Sequence, residues 1–196
     1  MQACIFPGNV DDPTIVIGGD TMLTILGAIA LMQASTDAAP TSAPPACDTQ
    51  AHAGFDMWIG EWDVHPAAQP ERKVAESRIE RAHAGCAILE RWMPLSGTGG
   101  SSTSHYDPAT EQWHQKWVGS SPESVEFTGG VVDGKMVIAG WWMNVTGPGQ
   151  HALIRMSYSK NEDGSVRQHG EASTDHGVSW QTAFDFIYRS RERASE

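Results

Sequence analysis

From Asp56 onward, apolar side chains recur at every second position. Trp58, Gly60, Trp62 and Val64 share a face, as do Trp113, Gln115 and Trp117. Met136, Ile138, Gly140 and Trp142 repeat the pattern, followed by Ala152, Ile154, Met156 and Tyr158. The last run is the longest: Val178, Trp180, Thr182, Phe184, Phe186 and Tyr188, with Ser179, Gln181 and Asp185 between them. Period two with one apolar face marks strands that are buried on one side. Turn formers separate the runs at Asp107-Pro108, Asp133-Gly134, Asp163-Gly164 and Asp175-His176-Gly177. Asp-Gly and Asp-Pro steps favour tight reversals. The pattern predicts about ten strands, near 56–65, 73–82, 86–93, 101–107, 111–118, 123–129, 135–143, 151–159, 165–173 and 178–189. No segment has the spacing of an amphipathic helix. Short connections favour antiparallel neighbours. The expected fold is all-β, a single antiparallel up-and-down β-barrel, because closure removes exposed edges. A two-sheet sandwich is its structural rival.

Composition divides the chain near residue 47. All 13 Lys and Arg lie from Arg72 onward, and every Trp lies between Trp58 and Trp180. Residues 1–46 hold Asp11, Asp12, Asp20 and Asp37 but no base. We expect 1–46 to be an upstream extension with a signal-like hydrophobic segment and a Pro/Ala linker, and 47–196 to be the barrel domain. The apolar run 23–32 is too short to span a bilayer, which takes about 20 residues. It suits the hydrophobic region of a signal peptide, and small residues follow it. Export to the periplasm or beyond is expected, with no membrane span in the mature form. No Lys or Arg precedes the run, so a hydrophobic helix on a cytosolic protein is the alternative. Cys47 and Cys86 lie in the barrel domain. An even pair suits one disulfide in an oxidising compartment, with free thiols as the alternative. The net charge of −11, with no basic cluster, argues against nucleic acid as a partner.

Several motifs recur in a fixed order. They are Phe55-Asp56-Met57-Trp58-Ile59-Gly60-Glu61-Trp62-Asp63-Val64, Gly85-Cys86-Ala87-Ile88-Leu89-Glu90, Tyr106-Asp107-Pro108-Ala109-Thr110 before Trp113, Asp163-Gly164-Ser165-Val166-Arg167-Gln168, and Trp180 through Asp185. Together they resemble a group of exported bacterial proteins of lipocalin-like (calycin-type) fold. The resemblance implies a lipocalin-like barrel and no particular activity. That group continues Val166-Arg167-Gln168 with an aromatic residue. Here His169-Gly170 follows, which predicts a more open wall at that strand.

Polar residues that interrupt an apolar face carry the functional signal. Glu90 falls between Ile88 and Trp92, Gln115 between Trp113 and Trp117, and Gln168 between Val166 and Gly170. A buried polar group without a partner costs about 1–3 kcal/mol, so Arg81, Arg155 and Arg167 are candidate partners. Trp combines a flat apolar ring with one N–H donor. The first reading is therefore a small hydrophobic or aromatic molecule bound inside the barrel. Trp58, Trp62, Trp117, Trp142 and Trp180 would form its wall, with Glu90, Gln115, Arg155 and Gln168 as anchors. A second reading is a barrel enzyme with His114, Glu90 and Tyr106 as acid/base candidates. A third is a structural envelope protein whose barrel is filled by its own Trp side chains. The chain has no Gly-x-Ser-x-Gly nucleophile elbow, and its 8 His show no metal-ligand spacing. His151 and His169 are placed to meet across a hairpin as a surface pair. No metal or cofactor is expected, and the loop at Gly97–Ser101 is a candidate lid.

Overall fold

The computed structural model describes residues 47–145 and 147–191. The hydrophobic run and the linker ahead of residue 47 lie outside the described residues. The strands are β1 Gly60–Pro66, β2 Ala75–Ala82, β3 Ala87–Pro94, β4 Gly100–Asp107, β5 Gln112–Val118, β6 Ser124–Val132, β7 Lys135–Trp142, β8 Ala152–Lys160, β9 Val166–Ser173 and β10 Gln181–Ser190. Each pairs antiparallel with its sequence neighbours, and β1 pairs with β10 to close the barrel. The up-and-down barrel expected from the period-two pattern is the fold that forms, and the sandwich is not.

Alternation decides what faces inward. On β8, Ala152, Ile154, Met156 and Tyr158 are buried while the residues between them are partly exposed. Burying a large apolar side chain stabilises by about 1.5–3 kcal/mol, which fixes the register: a slip of one residue would turn every such side chain to water. The outer face carries charge pairs instead, including Lys116–Glu126, Arg155–Glu171 and Arg167–Asp185. An apolar inside and a polar outside reverse the pattern of a membrane-spanning barrel. None of the described helices is long and apolar enough to cross a membrane.

Two expectations need correction. Residues 56–58 form a 3-10 turn rather than the start of β1. Gly60, at φ 154°, lets the chain pass from that turn into the strand beneath the Trp62 ring. The last strand carries a β-bulge between Thr182 and Phe184. The extra residue shifts the pleat by one, so Phe184, Phe186 and Tyr188 face inward while Trp180 lies on the outside.

One end of the barrel is plugged. The 3-10 segments Gln50–Ala53 and Asp56–Trp58 fold under it and drive Phe55 and Trp58 wholly into the interior. Phe55 meets Trp113 and Tyr158 edge-on at 5.1 and 5.2 Å, and Trp58 lies 4.9 Å from Tyr158. The Trp113 indole N–H donates to the Ala51 carbonyl at 3.1 Å, and that of Trp62 to the Trp58 carbonyl at 2.9 Å. Cys47 is bonded to Cys86, with Cα atoms 4.9 Å apart, and Asp56 pairs with Arg81. The disulfide ties the plug to the β2–β3 turn, and the ion pair ties it to the end of β2.

Close coiling of β6 over β7 needs a missing side chain. A Cβ built on Gly140 lands on the Glu126 carbonyl oxygen and presses the Phe127 ring. Gly140→Ala should therefore lower stability by about 2 kcal/mol, the range of overpacked cores. Urea unfolding reads this directly, and an unchanged midpoint would refute the close approach.

Candidate functional site

Above the plug the barrel holds a chamber of about 200 Å³. It opens toward the end where the β3–β4, β5–β6, β7–β8 and β9–β10 connections lie. Trp92, Trp117, Trp142 and Phe184 stand nearest that opening, with Phe127 and Phe186 deeper. Their rings pack on one another: Trp92 on Phe186 at 5.6 Å, Phe184 on Phe186 at 5.4 Å, and Phe127 edge-on to Trp142 at 6.3 Å.

The floor is polar and comes from mid-strand positions. Glu90 accepts hydrogen bonds from the Ser77 hydroxyl at 3.3 Å and the Ser102 hydroxyl at 2.9 Å. Ser102 stands directly opposite Glu90 in the sheet, and Ser77, opposite Trp92, reaches it diagonally from β2. Gln115 donates to the Ser104 hydroxyl at 3.0 Å. The Tyr188 hydroxyl donates to Gln168 Oε1 at 2.6 Å, and Gln168 Nε2 donates to the Tyr158 hydroxyl at 2.9 Å. Burial pushes the Glu90 carboxyl up to about 7, an effect that the two serine hydroxyls only partly offset. Burial, and then the nearby Glu90 charge, raises both phenols well above their ordinary range. Glu90 thus exchanges its proton near neutrality while Tyr158 and Tyr188 keep theirs.

The expected anchors separate into two groups. Glu90, Gln115 and Gln168 meet at the chamber, as their interruption of apolar faces suggested. Arg155 does not join them. It stands between inward Ile154 and Met156, so it faces out, where its guanidinium bonds Glu171 at 2.9 Å and covers the Trp180 ring at 4.0 Å. Arg81 and Arg167 are outside as well, paired with Asp56 and Asp185. Glu90 is therefore partnered by serines and not by an arginine.

The expected Trp wall divides likewise. Trp117 and Trp142 line the chamber, Trp58 and Trp62 pack at the plugged end, and Trp180 is outside. The proposed acid/base set is not assembled. Glu90 lies in the chamber. Tyr106 packs near the plug against His52 at 5.2 Å, and His114 is on the outer face, stacked on His105 at 5.3 Å. His169 lies opposite Ser157 in the sheet, and His151 accepts from the Asn144 backbone N–H at 3.0 Å, so these two histidines do not pair. Among the described residues, no group of three His, Cys, Asp or Glu could hold a metal ion. The wall at Gly170 is not open, because the Phe184 ring occupies the space that a side chain there would fill.

Sequence reasoning missed Trp92, Phe127, Met156, Tyr158, Phe184, Phe186 and Tyr188 as chamber residues. Tyr158 and Tyr188 carried a signal, since each places a hydroxyl on an apolar face. Ser77 and Ser102 carried a weaker one, as small hydroxyls at inward positions of β2 and β4.

A closed antiparallel meander of ten strands, blind at one end and hollow at the other, is the lipocalin-like (calycin-type) barrel. Among known proteins, no family model matches the chain and no curated protein matches it. The resemblance read from the ordered motifs holds at the level of the fold.

Proposed function

We propose that this is an exported binding protein that holds a small hydrophobic or aromatic molecule in its barrel. The carrying observation is the chamber itself, with aromatic walls and hydrogen-bonding groups gathered at one deep end. That is the general make-up of a small-molecule site. Its size favours a ligand of one or two rings, since a cavity of about 150 Å³ accepts benzene. Leu95, Met143 and Val178 are exposed on connections around the opening and give an apolar ligand a favourable approach. The disulfide supports export, because such bonds persist in oxidising compartments.

Trp92, Trp117 and Trp142 should report binding through their fluorescence. Addition of nitrobenzene, an aromatic ring that does not itself emit, to the full chain should quench emission saturably, and Trp142→Ala should weaken the interaction about 10-fold, a loss near 1.4 kcal/mol. A linear, non-saturating response in the unaltered protein would remove this reading in favour of a structural barrel. The enzyme reading keeps one supporting observation, a buried carboxyl that exchanges its proton near neutrality.

A further inference from the structure

The chamber's charge is one-sided. Among the described residues its lining contains Glu90 and no Lys, Arg or His. The guanidinium groups of Arg81, Arg155 and Arg167 are committed on the outside. Glu90 is 7% exposed and accepts from two serine hydroxyls only. An ionised carboxylate has about four lone-pair sites, so acceptor capacity remains unused. A buried carboxylate without a cation is costly, and the described residues supply none. Aromatic side chains line the chamber around it, and the faces of such rings carry negative electrostatic potential that attracts cations strongly once water is excluded. The net charge of −11 adds a long-range field of the same sign.

We propose that the chamber takes an organic cation, with a protonated nitrogen set against Glu90 and an apolar body held between Trp92, Trp117, Trp142 and Phe127. The assignment rests on the chamber being a binding site and adds the charge of its occupant. A carboxylate ligand would meet like charge with no donor cation. A neutral ligand would leave Glu90 without a counter-ion and favour its protonated form.

Ser77 on β2 and Ser102 on β4 bond Glu90 with hydroxyls, and Tyr158 on β8 and Tyr188 on β10, whose hydroxyls bond Gln168, are near enough to feel its charge. Gln115 on β5 and Gln168 on β9 complete the floor and do not titrate. Burial keeps both phenols protonated, so the neutral-range titration belongs to Glu90. The cation needs the carboxylate form. Its affinity should therefore fall as pH drops through about 7.

The test is calorimetric titration of the full chain with three probes of one size: benzylammonium, benzyl alcohol and benzoate. Benzylammonium should bind at least about 10-fold tighter than benzyl alcohol near pH 8, with benzoate weakest. Glu90→Gln should erase that preference while benzyl alcohol still binds. In the unaltered chain, benzylammonium affinity should fall about 100-fold between pH 8 and pH 5, from protonation of a carboxyl near 7. Equal or tighter binding of benzyl alcohol would overturn the charge assignment and leave the chamber as a site. Binding of none of the probes would overturn both. If Glu90→Gln does not fold, the pH series decides alone, and a flat profile for benzylammonium overturns the assignment.

Discussion

Replacing Cys47 and Cys86 together with serine should lower the stability of the barrel by about 4 kcal/mol. The bond spans 39 residues of sequence and joins the segment ahead of the plug to the turn between β2 and β3. Cross-linking a loop of that length removes conformational freedom from the unfolded chain, which is where most of the effect arises. For a domain of this size the melting temperature should drop by roughly 10 °C. The folded state feels the loss locally, because the 3-10 segments carrying Phe55 and Trp58 are short and make few backbone bonds of their own. Urea unfolding of the double variant beside the oxidised parent measures the total. Hydrogen exchange at residues 50–58 should rise first. A midpoint unmoved by the substitution would mean that the plug and barrel hold together without the bridge.

Glu90→Gln should stabilise the protein by an amount that grows as pH rises from about 4.5 to about 7 and stays level above that. In the folded chain the Glu90 carboxyl titrates near 7, against 4.5 when unperturbed. Between those values the folded state binds more protons than the unfolded state, so stability declines as pH rises. The contribution is intact below about pH 4.5 and fully lost above about pH 7, a fall of about 3 kcal/mol. Gln keeps the shape and cannot ionise. Near pH 8 the variant should exceed the parent by about 3 kcal/mol, and near pH 4 the two should match. Urea titrations at both values give the answer. A difference that does not vary with pH would show that Glu90 is not held in the buried environment described. On the proposed reading, a residue whose ionisation weakens the fold at neutral pH would be kept for the ligand it holds.

Much of the fold was legible because its physics is local. Alternation and Asp-Gly turns marked β7 at 135–143, and the strand is Lys135–Trp142. Glu90 was legible for the same reason, as a charge on an apolar face. What failed needed knowledge of neighbours in space. The bulge before Phe184 has no marker in Gln181-Thr182-Ala183, yet it turns Trp180 from wall to exterior. Arg155 attracted attention as a partner for buried polar groups, although its place between Ile154 and Met156 already directed it outward. The serines that hold Glu90 come from β2 and β4, and their approach depends on a register that one strand's sequence does not contain.

Barrel closure through β1 and β10 has a consequence for biosynthesis. Trp62 pairs with Ser190, so the earliest strand waits for the latest. The pairings within consecutive hairpins form between neighbours and involve short loops, which favours speed. Sealing the barrel brings together segments at opposite ends of the domain and must come after β10 has left the ribosome. Until then β1 and β10 each present an open edge able to recruit foreign strands. Loss of β10, Gln181–Ser190, more than damage to any middle turn, should convert this chain from a folder into an aggregator.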